Sequence, residues 1–265
     1  MNEIEPIRAL NDKPLDGVTP TDLFSTCIGA SEYDANWNFC AGDPEFWKFS
    51  DQLLVPGGKL LDLGIGLGRN SLAFALQGME VTGYDTSTRA VGILRGLVEA
   101  YPFLPIEVRQ EDIISADLGG EAFDTVMLGQ TLIHFPSKES AITVLDKACE
   151  ALKPGGHIWV RAGGKEDYSY GEMEREAAYP YSTTKKVDGN VFMRECGCSG
   201  EYKLEPQLFF GQTELLEYFL RRGFKITHSQ LMPEDWQANI MYGEDWMPDV
   251  PIPQGGVITV LAQKR

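Results

Sequence analysis

The chain has 265 residues, 43% of them hydrophobic, and a formal net charge of −16. That is enough apolar material for a sizeable core, which excludes global disorder. With 23 Lys and Arg against 39 Asp and Glu, and no basic run, nucleic acid is disfavoured as a partner, because phosphate backbones are held by cations.

No apolar run approaches the length of a membrane span, so no membrane association is expected. Met1-Asn2-Glu3-Ile4-Glu5 is polar and acidic rather than signal-like. Cys27, Cys40, Cys149, Cys196 and Cys198 make an odd set. Free thiols in a reducing cytoplasm are the expectation.

Residues 1–30 are punctuated by Pro6, Pro14, Gly17 and Pro20 and read as an N-terminal arm. Residues 31–265 read as one domain with an insertion at about 165–208. Tyr33, Trp37, Phe39, Phe46, Trp47 and Phe49 crowd into 31–54. They suit either a helix that packs aromatics on the core or an aromatic lid over a ligand.

From Lys59 strands and helices alternate. The first strand is Lys59–Leu63, followed by a helix over Arg69–Gln77 that Gly78 stops. The second strand is Glu80–Asp85. Its helix runs from about Ser87 to Tyr101, with Val91, Leu94, Val98 and Tyr101 on one face. Ile106–Gln110 and Phe123–Gly129 are the third and fourth strands. A helix capped by Ser137 follows, with Ala141, Leu145, Ala148 and Leu152 inward. Lys153-Pro154-Gly155-Gly156 ends it, and His157–Ala162 is the fifth strand.

Residues 163–211 break the rhythm and show no helical pattern. Val191–Arg194 and Tyr202–Leu204 can pair as a hairpin. Thr213 can cap a helix reaching Arg222. Phe224–Leu231 and Val257–Gln263 are the last strands. Alternating strands and helices predict βαβ units and a parallel sheet covered on both faces.

The informative stretch is Asp62-Leu63-Gly64-Ile65-Gly66-Leu67-Gly68-Arg69-Asn70. Glycines at the end of a first strand let a ligand approach bare backbone. Their spacing is D-x-G-x-G-x-G, not the dinucleotide G-x-G-x-x-G. A leading Asp62 would repel phosphate and suits a ligand carrying an ammonium or a sulfonium. Asp85 ends the second strand, where it can accept from a ribose diol or simply help start the helix at Thr86. Asp112-Ile113 ends the third, offering a carboxylate for an amine and an apolar neighbour for a base. Gln130 ends the fourth, at the edge where open α/β sheets bind ligands.

These residues resemble the class I S-adenosylmethionine-dependent methyltransferases, over residues 31–163 and 207–265. The carrying segments are LDLGIGLGRN, the strand ends at Asp85 and Asp112-Ile113, FDTVMLGQTLIHF and LKPGGHIWVRA. GLGRNSLAFALQGMEVTGYD is locally similar to the tellurite-resistance branch. The resemblance implies a Rossmann-like, doubly wound α/β fold: a seven-stranded, mostly parallel sheet whose last strand is antiparallel, with a substrate-side segment inserted after the fifth strand. It implies S-adenosyl-L-methionine as cofactor. Asp62 and Gly64 would face the amino and carboxylate groups of its methionine, Gly66 and Gly68 would let the turn approach it, and Asn70 would also bind it. Asp85 and Thr86 would meet the ribose, Asp112 and Ile113 the adenine, and Gln130 the methyl end. Tyr33 or Trp37 would cover the methyl donor.

In-line transfer to a small-molecule acceptor needs alignment and water exclusion above all, and a base only for a hydroxyl. His134 is the base candidate, set against a structural histidine at a helix start; His157 lies at the opposite sheet edge. The Cys196 and Cys198 thiols suit a soft metal or metalloid, or are two unremarkable thiols in a turn. No metal site is expected: zinc lacks a second cysteine pair, and no carboxylate cluster suits magnesium. A homodimer is compatible with the sequence. The alternatives are a non-catalytic cofactor-binding sensor or scaffold and, against the glycine spacing, a nicotinamide-dependent oxidoreductase.

Overall fold

Lys59-Leu60-Leu61-Asp62-Leu63 forms a strand because four consecutive side chains can be buried on alternating faces while Lys59 stays in solvent. The computed structural model describes residues 49–165, 168–178, 183–189, 191–196, 203–233 and 256–265. Tyr33, Trp37, Tyr179, Tyr181, the Gly197-Cys198 turn and the loop 234–255 lie outside them.

The helices are α1 (Ser50–Leu53), α2 (Arg69–Leu76), α3 (Thr88–Ala100), α4 (Lys138–Ala151), α5 (Tyr168–Ala177) and α6 (Gln212–Arg221). The strands are β1 (Lys59–Leu63), β2 (Glu80–Asp85), β3 (Ile106–Gln110), β4 (Phe123–Gly129), β5 (Leu152–Gly163), β6 (Lys185–Asp188), β7 (Val191–Cys196), β8 (Lys203–Leu208), β9 (Lys225–Pro233) and β10 (Gly256–Gln263). Seven of them form one sheet in the order β3-β2-β1-β4-β5-β10-β9. The chain divides into two compact units, Met1–Met127 and Leu128–Arg265, with the division inside β4.

In the first unit β1 pairs in parallel with β2 (Leu61↔Thr82) and with β4 (Leu61↔Val126), and β2 pairs in parallel with β3 (Gly83↔Val108). The Thr125 hydroxyl, buried in β4, donates to the Leu53 carbonyl at 2.7 Å. Ser87 caps α3 by accepting from the Ala90 N–H at 3.2 Å. The buried face of α3 is Val91, Leu94 and Leu97, where the sequence suggested Val98 and Tyr101. Both rows satisfy a 3.6-residue period, and the larger Leu97 is the one turned inward.

In the second unit α4 starts at its expected cap, where Ser137 accepts from the Ser140 N–H at 3.2 Å. Ala141, Leu145 and Ala148 are buried, joined by Val144, Cys149 and Ala151. The Lys153–Gly156 segment is not a loop before the strand: β5 begins at Leu152 and runs to Gly163. The Gly155 N–H donates to the Lys264 carbonyl (2.9 Å) and the Lys264 N–H to the Gly156 carbonyl (3.0 Å). These backbone bonds, with one from the Gln263 side-chain amide to the Gly155 carbonyl at 3.1 Å, convert the expected turn into strand. The last strand, β10, is antiparallel to both neighbours, pairing with β5 (Val160↔Val260) and with β9 (Val260↔Ser229).

The insertion holds more structure than its sequence suggested. A helix, α5, occupies Tyr168–Ala177. The expected hairpin is β7–β8, with Arg194 opposite Glu205, and β6 adds a third strand. Met173, Phe192 and Phe209 are its buried centre. The Tyr170 ring meets Phe192 and Phe209 edge-on at 5.4 and 5.3 Å, so this tyrosine packs the insertion together. The start of α6 also differs: its N-cap is Gly211, not Thr213, and the Glu214 carboxylate accepts from the Gly211 N–H at 3.2 Å.

Two outcomes follow. Phe209→Ala, removing a fully buried ring, should cost about 3–5 kcal/mol in urea unfolding. Cys149 is 7% exposed, and burial pushes its thiol up to about 12 from 9.0. The folded state therefore keeps a proton that the unfolded chain releases, and the stability this contributes is whole below pH 9.0 and lost toward about pH 12. Urea titrations above pH 9.0 should show a slope of up to about 1.4 kcal/mol per pH unit that Cys149→Ala reduces.

Candidate functional site

The β1–α2 turn is a backbone device. Gly64, Gly66 and Gly68 all have left-handed φ, at 82°, 55° and 79°, which L side chains adopt only with strain. The Gly64 and Ile65 N–H groups both donate to the Tyr84 carbonyl, at 2.8 and 3.0 Å, tying the turn to the end of β2. The glycines serve different ends. A Cβ on Gly68 would meet Leu94 of α3 at 2.9 Å, whereas one on Gly66 would meet nothing within 4 Å. Gly66 therefore presents bare backbone to open space, as a site for a nucleoside cofactor requires.

Asp85 closes this turn. Its Oδ2 accepts from the Gly66 N–H and its Oδ1 from the Ser87 N–H, both at 2.8 Å. The helix-starting role is thus present, together with a bond to the glycine turn that spacing did not reveal. Each carboxylate oxygen can accept twice, so capacity for a diol remains. Asp62 lies beneath the turn at 6% exposure, where its Oδ2 accepts from the Ser71 hydroxyl at 2.6 Å. A buried carboxylate requires such a donor. Sequence reasoning missed Ser71, although it is the one hydroxyl in this helix.

Ile65 sets the height of the turn. A Cβ on Gly83 would fall on the Ile65 Cδ1 and lie 2.9 Å from its Cβ. Asn70 is half-buried and Thr86 exposed. Asp112 is exposed, and its Oδ1 accepts from the Ile114 N–H at 2.9 Å. Ile113, expected to offer an apolar surface, is 7% exposed.

In the second unit Gln130 follows β4 with φ 64°, one of two non-glycine residues with positive φ among those described. Its N–H donates to the Arg161 carbonyl at 3.0 Å, which holds the strained backbone. Arg161 is buried, and burial pushes its guanidinium down to about 10. It was legible only as a charge inside an apolar strand. His134 ends the short turn Leu132–His134 and is exposed. Among the described residues no helix is long and apolar enough to cross a membrane.

Residues 60–156 match the methyltransferase domain family, over the segment that holds the glycine turn, Asp85 and Gln130. Over those residues the chain matches a methyltransferase domain, and its seven-stranded sheet has the fold of solved methyltransferases. The chain is 34% identical over 104 residues to the ubiquinone biosynthesis O-methyltransferase of Photorhabdus laumondii subsp. laumondii. That match covers 39% of this chain and 42% of the relative, less than half of each. A SAM-dependent methyltransferase from Methanosarcina mazei has the same fold, with TM-score 0.61 and 18% identity over 82% of this chain and 96% of that one. TehB from Haemophilus influenzae shares it at TM-score 0.59 and 20% identity, over 93% of this chain and 68% of the other.

Gly83→Ala should destabilise the methyltransferase domain by about 1–3 kcal/mol, the usual cost of overpacking. Urea unfolding of the single variant and of Gly83→Ala/Ile65→Ala checks the cause: the double variant should be more stable than the two single costs added together.

Proposed function

We propose that this chain transfers a methyl group from S-adenosyl-L-methionine to a small-molecule acceptor. The reading is carried by the glycine turn stapled to Asp85, with open space above Gly66. The cofactor, when bound, supplies a methyl group made electrophilic by its sulfonium. The residues of the chain hold, orient and exclude water. The Gly64–Gly68 turn lets the cofactor lie against backbone, and Asp62 gives that end a negative potential suited to an ammonium or sulfonium. Asp85, Thr86, Asp112 and Ile113 would hold the nucleoside. Gln130 and Asn70 would contact the methionine end.

The relative named as an O-methyltransferase points first to a hydroxyl acceptor. For a hydroxyl a base helps, and the exposed His134 is the residue we assign to take the proton, with Tyr33 closing over the methyl donor. The acceptor pocket would draw on residues 31–49, the insertion and the loop 232–254.

A radiolabelled methyl-transfer screen across hydroxyls, thiols, amines and soft oxyanions tests the activity. S-adenosylhomocysteine formed with any acceptor supports it; tight cofactor binding with no transfer to any class would turn the reading to a sensor. Calorimetry should find S-adenosylhomocysteine bound about 1–3 kcal/mol more weakly by Asp85→Ala. Unchanged affinity would remove Asp85 from the ribose. With a hydroxyl acceptor, His134→Gln should lower kcat about 100-fold with little change in cofactor affinity, the scale of general-base catalysis.

A further inference from the structure

A cavity of about 570 Å³ opens within the second unit, where the insertion joins the sheet. Its walls are Lys138 at the start of α4, Lys165 just past β5, and the flank of α6 between Gly211 and Arg222. Lys165 and Gly211 stand on the two sides of the neck through which the insertion leaves and returns. There Gly164 bridges to Phe210. The Lys165 N–H donates to the Phe210 carbonyl, and the Phe210 N–H to the Gly163 carbonyl, both at 2.9 Å.

The charge of this cavity runs against that of the chain. Four cations line it, Lys138, Lys165, Arg221 and Arg222, against two carboxylates, Glu214 and Glu217. Both carboxylates are already neutralised: Glu214 pairs with Lys138, and Glu217 with Arg221 at 2.7 Å. Arg222 pairs with Asp146, outside the lining, and lies over the Tyr218 ring at 3.7 Å. Lys165 has no carboxylate partner among the described residues. Those pairs account for three of the four cations, so one uncompensated charge, Lys165, is left to attract a small anion to this recess on a chain of net charge −16. A flexible ammonium lining the same cavity as the exposed Thr213 hydroxyl suits an oxyanion, since both can donate to its oxygens.

We infer that this cavity binds a small oxyanion, a phosphate or a carboxylate, with Lys165 as its charge contact and Thr213 as a hydroxyl donor. An anion there links the neck of the insertion to α6, so its binding also ties the insertion to the sheet. The pairing is partly exposed, and rising salt weakens it.

The test titrates the full chain at low ionic strength with inorganic phosphate and, separately, with citrate, using calorimetry. Saturable binding of either is expected, and which anion binds more tightly tells a phosphate site from a carboxylate one. Lys165→Gln should weaken it roughly tenfold, the scale of one charge-assisted hydrogen bond, and Thr213→Val should weaken it less. Near-UV circular dichroism matching the parent shows that the variants remain folded. No saturable binding of either anion, or Lys165→Gln binding as well as the parent, overturns the proposal.

Discussion

One carboxylate holds the candidate cofactor site together. Asp85 takes the Gly66 N–H on one oxygen and the Ser87 N–H on the other. The first bond joins those to the Tyr84 carbonyl in fixing a turn of three left-handed glycines. The second starts α3 at the right place to pack Leu94 against Gly68. Turn, strand end and helix start are therefore one cooperative piece. Charge-assisted bonds to backbone N–H groups are among the stronger ones available for this purpose. The geometry that would meet a nucleoside is already built before any ligand contributes to it.

A second constraint operates in the other unit. β10 lies between β5 and β9 and pairs with both along its length. β10 thereby joins β9 to the sheet, and the residue after it draws Lys153–Gly156 into β5. The Lys264 ammonium also donates to the Cys149 carbonyl at 3.1 Å, satisfying one of the carbonyls that α4 leaves open at its end. Beside it, the insertion is fixed through apolar packing. Phe209 lies 3.1 Å from where a Gly163 Cβ would stand, so a residue without a side chain there admits the aromatic cluster against β5.

Much of this was legible in the residues. Strands β1 and β4 announce themselves because a buried parallel strand is a short, mostly apolar run bounded by turn residues. Ser87 and Ser137 were readable as caps because a hydroxyl just before an apolar-periodic segment has one common use. Asp62, Asp85 and the glycines stood out by position along the alternation. Less legible were features whose partner is remote in sequence. The bond between Asp62 and Ser71, the fit of Ile65 over Gly83 and the left-handed Gln130 held by Arg161 leave no periodic trace. Helix α5 escaped notice because Tyr168–Ala177 is polar apart from a few positions. What makes it a helix is the tertiary contact of Tyr170 and Met173 with Phe192 and Phe209.

The sequence by itself determined the class of fold, the order of its strands and helices, and the edge of the sheet at which chemistry can occur. Those follow from local periodicity, from glycine conformations and from the ends of strands, all properties of short windows. Only the tertiary structure decided that Asp85 is a staple as well as a candidate ligand contact. It also decided that Ile113 is buried, that Tyr170 is cement for the insertion, and that a positive recess exists on an acidic chain. Each of these depends on residues brought together from distant segments, and no window of the sequence contains both partners.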